Sequence, residues 1–198
     1  MNSFLWEEME FQIKSCKSCK LCNTRKKAVP GEGNKKSPVM FIGEGPGEEE
    51  DEQGRPFVGK AGMLFTKIFN SVNLERDDVY ITNIVKCRPP KNRNPEQDEI
   101  DACCKYLETQ IALINPKIIV AVGGVALKSL LKDEDAKISR LRGKEITWEG
   151  GIKLFPIFHP SFLLRNNGTE EGSPKWQTWQ DMKKIKEFYD FYSIGENE

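Results

Sequence analysis

Histidine is almost absent from this chain: His159 stands alone among 198 residues. Net charge is absent too, because 30 Lys and Arg face 30 Asp and Glu, so the totals do not announce a nucleic-acid binder. No apolar run approaches the roughly 20 residues that span a bilayer, and a soluble protein without a membrane partner is expected. The opening MNSFLWEEMEFQIKS is acidic and helix-like. It lacks the basic-then-apolar pattern of a signal peptide, which points to the cytoplasm or an equivalent reducing compartment. No repeat and no linker interrupt the chain, and its length suits one domain, residues 1–198, with one core.

What the chain does have is concentrated in residues 41–62, FIGEGPGEEEDEQGRPFVGKAG. Val39-Met40-Phe41-Ile42 reads as a buried strand that stops in Gly43-Glu44-Gly45-Pro46-Gly47. Carboxylates crowd Glu48 to Glu52, and Pro56-Phe57-Val58 forms an apolar island before a helical pattern begins at Lys60. Glycine costs backbone entropy and adjacent carboxylates repel, so such a stretch serves a site rather than stability. A strand delivering a tight loop at the carboxyl end of a sheet is the usual α/β way to build one. The spacing is not G-x-G-x-x-G, no helix is expected to start at the glycines, and the carboxylates would repel a pyrophosphate. A dinucleotide site is therefore set aside. Glycine-rich backbone can instead press N–H groups against a neutral or developing anionic ligand.

Apolar periodicity predicts strands at 39–42, 79–82 and 117–122, and a hairpin or two successive strands at 145–148 and 152–158. Helices are predicted at 5–13, at 60–72 with Met63, Leu64, Ile68 and Phe69 at core spacing, and from Pro95 onward through Cys103, Cys104 and Leu107. Further helices follow at Gly124–Leu131, as a short turn at 162–166 capped by Ser161, and at 176–192 with Trp179, Met182 and Ile185 on one face. Strands alternating with helices imply an α/β fold whose mostly parallel sheet is covered on both sides. The ends of three strands then bring Glu44, Asn83 and His159 to one edge, where ligands bind. Asparagine at a strand end often only closes a turn. A lone histidine is more often structural than catalytic, but this one sits beside the other candidates. Phe57 is either a core anchor for its loop or a stacking surface.

Six cysteines in a chain of this kind point to metal or redox chemistry before disulfides. Cys16-x-x-Cys19 is a metal-ligand spacing that needs two more ligands. Cys87 lies in a proline-stiffened basic loop that should lower its thiol pKa. Of the adjacent helical Cys103 and Cys104 only one can face a common site, and Cys22 competes with Cys16 or Cys19. Zinc and an iron–sulfur cluster both fit four thiolates. Basic residues gather at 14–36, at Lys86, Arg88, Lys91 and Arg93, and at Lys137, Arg140, Arg142 and Lys144. Sharing one face, they would form a surface that tracks phosphates. A four-cysteine nucleic-acid-binding module without catalysis is the competing reading.

Several motifs together carry a resemblance. The early C-x-x-C, GEGPGEEED, GRPFVGKAG, DVYITNIVKCRPPKNRNP, the cysteine at 103 and HPSFLLRN occur in the order of a family 4 uracil-DNA glycosylase, the iron–sulfur type. The match runs from Cys16 to about Asp181. It implies an α/β/α sandwich around a four-stranded, mainly parallel sheet, and a 4Fe–4S cluster held by Cys16, Cys19, Cys87 and Cys103. It implies a pocket in which Glu44, Gly45, Pro46 and Gly47 line the base, Phe57 stacks on it, Asn83 reads its amide edge and His159 faces O2. Leu163, Leu164 and Arg165 become candidates for the wedge and the phosphate contact, with uracil-containing DNA as partner and a monomer expected. Better-known uracil glycosylases have an aspartate where Gly45 stands. Glu44 first, and Glu50 second, are the carboxylates expected to handle the water.

Overall fold

The computed structural model describes residues 3–194. Its strands are β1 (Glu32–Gly33), β2 (Val39–Gly43), β3 (Tyr80–Asn83), β4 (Ile118–Val122), β5 (Ile146–Thr147) and β6 (Lys153–Ile157). They form one sheet in the order β1-β3-β2-β4-β6-β5. The four inner strands are parallel, and the two-residue edge strands pair antiparallel. The four-stranded parallel sheet implied by the resemblance is thus the centre of a six-stranded one. β1 lies in a segment read from the sequence as loop, because two residues carry no period. β5 and β6 settle the 145–158 alternatives as an antiparallel pair.

Continuous apolar strands are what a sheet buried on both faces requires. Alternate residues divide them. Met40, Ile42, Ile119, Ala121 and Leu154 face one core, shared with α1 (Ser3–Ser15), α4 (Gln97–Ile114) and α5 (Gly124–Leu131). Val39, Phe41, Ile81, Val120, Val122 and Phe155 face the other, shared with α3 (Lys60–Asn70) and α8 (Pro174–Ile194). The result is the three-layer α/β/α sandwich.

Five helices depart from the sequence pattern. A six-residue helix, α2 (Glu48–Gln53), does start directly after the glycines, contrary to expectation. Its acidic first turn suits the positive end of the helix dipole, and Glu50 closes a capping box on the Gly47 N–H at 3.0 Å. On α3 the buried residues are Gly62, Phe65 and Phe69, whereas Met63 is 57% exposed. On α8 Met182 and Ile185 are buried, but Trp179 is 40% exposed. The short α6 (Ile138–Leu141) had no sequence signal, and α7 (Pro160–Arg165) replaces the expected turn after His159.

Register places the site. Gly43 pairs with Asn83, Ile42 with Ala121, and Val122 with Ile157. The carboxyl ends of all four parallel strands therefore reach one edge together, followed at once by Glu44, Ile84, Gly123 and Phe158, with His159 next.

Candidate active site and cysteine cavity

At that edge lies a cavity of about 420 Å³ whose wall includes Glu44–Gly47, Phe57, Asn83 and His159. Every residue expected to face the base is on it. Leu164 of α7 and Pro89, Asn92 and Arg93 of the cysteine-bearing loop also line it, as do the acidic Glu48 and Glu49. A second cavity of about 720 Å³ shares Glu44 and His159 and extends past Gly123 and Lys128 to Arg165.

Phe57 is held in an unusual backbone conformation, φ 51°, which a side chain other than glycine rarely adopts. Two groups hold it there: Glu50, the second candidate for the water, and Arg76, which the sequence did not single out. Glu50, 8% exposed, accepts from the backbone N–H of Val58 and Gly59 at 2.9 Å each, in addition to Gly47. Arg76 donates to the carbonyls of Phe57 (3.0 Å) and Pro56 (2.6 Å) and is paired with Glu32 at the β1 edge. Both oxygens of Glu50 are thus committed to backbone donors, which corrects its candidacy for handling water: it braces the pocket. The glutamate three residues past Gly47 was the available signal, and it is legible only once α2 is recognised. Glu50→Ala should strand one buried and two partly buried donors and cost about 2 kcal/mol in urea unfolding; an unchanged midpoint would contradict the clamp.

Close packing makes two glycines obligatory. A Cβ on Gly43 would sit 2.5 Å from both Asn83 Oδ1 and Phe57 Cζ, and one on Gly62 only 2.0 Å from the Phe57 carbonyl carbon and oxygen. Asn83 is 2% exposed, and Phe57 packs on Phe65 with ring centroids 5.0 Å apart. The Phe57 and His159 rings lie 5.8 Å apart and tilted by 34°.

His159 caps α7. Its Nδ1 accepts from the Ser161 backbone N–H at 3.1 Å and meets the Ser161 hydroxyl at 2.8 Å. A backbone donor aimed at Nδ1 requires a lone pair there, so the ring proton resides on Nε2. Burial, with a smaller contribution from Arg165, pushes the imidazole down to about 4. At neutral pH it is an uncharged N–H donor. Burial pushes the Glu44 carboxyl up to about 6, so it is mostly ionised at neutral pH, with its proton close at hand.

Cys16, Cys19, Cys87 and Cys103 line one small cavity with Cys22, between the end of α1 and the flank of α4. Cys104 turns away and donates to the Asp101 carbonyl. Among the described residues no three metal-ligating side chains close on a single ion. The donor set nevertheless fits a thiolate-bound group. Backbone N–H groups of Ser18 and Lys86 point at the sulfurs of Cys16 (3.4 Å) and Cys103 (3.3 Å), and the Arg25 guanidinium lies 2.9 Å from Cys87 Sγ. Burial pushes the Cys87 thiol up to about 11, outweighing Arg25. The expectation that its basic loop lowers that pKa is reversed.

Each basic cluster is partly tied up in contacts within the molecule, while Lys14, Lys17, Lys27, Lys36, Lys91, Lys137, Arg140 and Lys144 stay exposed. Arg25 is on Cys87, Lys86 is buried, Arg93 pairs with Glu99, and Arg142 pairs with Asp181. Lys20, Lys26 and Lys35 pair with Glu96, Glu52 and Glu10. The acidic run is likewise divided: Glu50 and Asp51 are buried, and Asp51 accepts from the Lys26 N–H at 2.9 Å. On α7, Leu163 is fully buried whereas Leu164 is 43% exposed and Arg165 is exposed. Leu163 therefore cannot serve as a wedge, and Leu164 is the apolar side chain available there.

Comparison with known proteins gives a consistent picture. The model of the Uracil DNA glycosylase superfamily matches residues 30–183. A type-4 uracil-DNA glycosylase of Thermotoga maritima is 46% identical over 184 residues, covering 93% of this chain and 94% of the relative. One of Saccharolobus solfataricus is 47% identical over 183 residues, 89% of this chain and 82% of that protein. A type-5 uracil-DNA glycosylase of Pyrobaculum aerophilum is 32% identical over 155 residues, 71% of this chain and 68% of that protein.

Proposed function

The chain belongs to the uracil-DNA glycosylase superfamily, and from that premise we propose that it flips deoxyuridine out of DNA and hydrolyses its N-glycosidic bond, releasing uracil and leaving an abasic site. The observation that carries the reading is the meeting of Glu44, Phe57, Asn83 and a neutral, Nε2-protonated His159 on one cavity.

Flipping costs a few kcal/mol of stacking and pairing, which contacts in the cavity must offset. Phe57 supplies a rigid ring for stacking, clamped by Glu50 and Arg76. The Asn83 amide matches N3–H and O4 of uracil together, and cytosine, with a donor where O4 would be and no N3–H, leaves both halves unpaired. As the C1′–N1 bond breaks, its electron pair passes to the base and charge accumulates at O2. The His159 Nε2–H and backbone N–H groups of the glycine turn stabilise that anion. The sugar becomes an oxocarbenium ion. Glu44 orients a water toward C1′; the water oxygen bonds to C1′ and its proton passes to the carboxylate and then to solvent. Leu164 would fill the gap in the stack and Arg165 would hold a phosphate.

The same reading assigns Cys16, Cys19, Cys87 and Cys103 as ligands of a 4Fe–4S cluster, with Cys22 and Cys104 unliganded. The cluster would order the 86–93 loop, whose Pro89, Asn92 and Arg93 reach the rim. The protein is taken as one domain, a monomer acting on uracil-containing DNA in the cytoplasm. No helix of the described residues is long and apolar enough to cross a membrane.

Incubation with a uracil-containing oligonucleotide followed by alkali tests the activity: a break at uracil is expected, and an intact strand overturns the reading. Its pH profile tests the roles. Glu44 must be ionised to orient water, so single-turnover excision should fall as pH drops through about 6. His159, titrating near 4, does not contribute to that limb. Glu44→Gln should be slower by about tenfold or more and lack the limb. Retention of both rate and limb would remove Glu44 from the mechanism.

A further inference from the structure

Met63 has the spacing of a core residue, yet it lies on the outside of α3. That helix buries Gly62, Phe65 and Phe69. Its opposite face carries Lys60, Met63, Lys67 and Asn70, all exposed and three or four residues apart, so they form one stripe along the helix. The helix, KAGMLFTKIFN, holds no Asp or Glu. Among the described residues neither lysine meets a carboxylate, unlike Lys20, Lys26 and Lys35.

The stripe is continuous with the base pocket. Lys60 is on the wall of the same cavity as Phe57, Asn83 and His159, and α3 packs against α7, whose Leu164 and Arg165 are exposed. Lys60 is also the first residue of α3, where the helix dipole favours an anion and disfavours a cation. The first turn of α2 follows that preference with four acids, whereas that of α3 has none. A lysine kept against local preference is accounted for by a partner outside the helix. Charge is thus divided around the cavity: Glu48 and Glu49 reach it from α2, and Lys60 reaches it from α3. A strand of phosphates entering with a flipped nucleotide is repelled by the first group and attracted by the second. Arg93 lines the cavity too, but it is committed to Glu99.

We propose that the Lys60–Met63–Lys67 face of α3 is the track for the DNA strand flanking the flipped nucleotide, with the two ammonium groups on phosphates and Met63 against the sugar or base between them. The inference rests on the glycosylase reading above. Seven residues of helix rise about 10 Å, which matches about three nucleotides at about 3.4 Å each. The two lysines therefore serve different phosphates, and Lys67 serves the more distant one. Each phosphate contact displaces counterions, so the track has a signature in the salt dependence of binding.

The test is binding, across a salt series, of a fluorescent single strand with one central 2′-fluorinated deoxyuridine, whose electron-poor sugar resists cleavage. Lys60→Met and Lys67→Met should each weaken binding about fivefold at about 0.1 M salt and flatten the slope of log affinity against log salt by about 0.7. Melting temperature and the inhibition constant for free uracil should not move. Lys117→Met removes an exposed lysine at the amino end of β4, the opposite edge of the sheet, and should change neither affinity nor slope. Trimming the strand up to the uracil on one side should erase the Lys67→Met effect, and trimming the other side should leave it. Unchanged affinity and slope in both α3 variants overturn the proposal. So does an equal loss in Lys117→Met, a Lys67→Met effect that survives both trimmings, or a matching rise in the uracil inhibition constant. If the wild-type protein binds the strand but leaves an unmodified uracil strand uncut, the glycosylase reading fails instead, and the slopes still decide the track.

Discussion

Gly43→Ala should lower single-turnover uracil excision by at least about a hundredfold. The added methyl has no free space: it would sit 2.5 Å from both the Asn83 oxygen and the Phe57 ring. Neither neighbour can yield easily. Asn83 is pinned in register at the end of β3, with Lys86 on its carbonyl, and the Phe57 backbone is clamped by Glu50, Arg76 and Gly62. One methyl therefore displaces the stacking ring and the base-reading amide together. A displacement on the order of 1 Å at reacting or binding groups is enough for losses of that size. Melting temperature measured alongside excision separates local displacement from unfolding. Activity within threefold of wild type would mean that Asn83 and Phe57 do not form the pocket.

His159 allows a cleaner separation, because its two nitrogens have different duties. Nδ1 caps α7 through the Ser161 N–H, and Nε2–H is free for the base. His159→Asn retains a cap acceptor, since asparagine is a good residue at that position, but it has no donor in the imidazole Nε2 position. Loss of one donor to a developing anion costs about 10²–10³ in rate, so His159→Asn should lose that much with little change in melting temperature. His159→Ala should lose the same rate and, in addition, about 1 kcal/mol of stability with the cap. Equal stability of the two variants would contradict the cap, and a rate loss under fivefold in both would contradict the donor.

The apolar strands and the long helices were legible because a doubly covered sheet needs continuous apolar runs, and periodicity reports those directly. Asn83 and His159 stood out because parallel strands release their carboxyl ends on one edge. What stayed hidden depends on partners remote in the chain. Glu50 was read as a second candidate for the water, and only the turn of α2 onto the 58–59 backbone shows it to be a brace. Lys86 was counted in a basic patch, although Gln110 and Thr82 bury it. Leu163 and Leu164 are adjacent, and sequence alone does not say which faces the core. The acidic helix was missed because five carboxylates and a glutamine carry no apolar period.

Gly45 has a consequence for how such a site can change over generations. A Cβ there would lie 2.8 Å from Val85 Cγ2, a side chain that is fully buried. The aspartate that other uracil glycosylases carry at this turn is thus not one substitution away. It becomes tolerable only after residue 85 shrinks, and a smaller residue 85 confers nothing until the aspartate arrives. Introduced alone, the aspartate is a loss, whereas Glu44, one position earlier, already lies on the cavity.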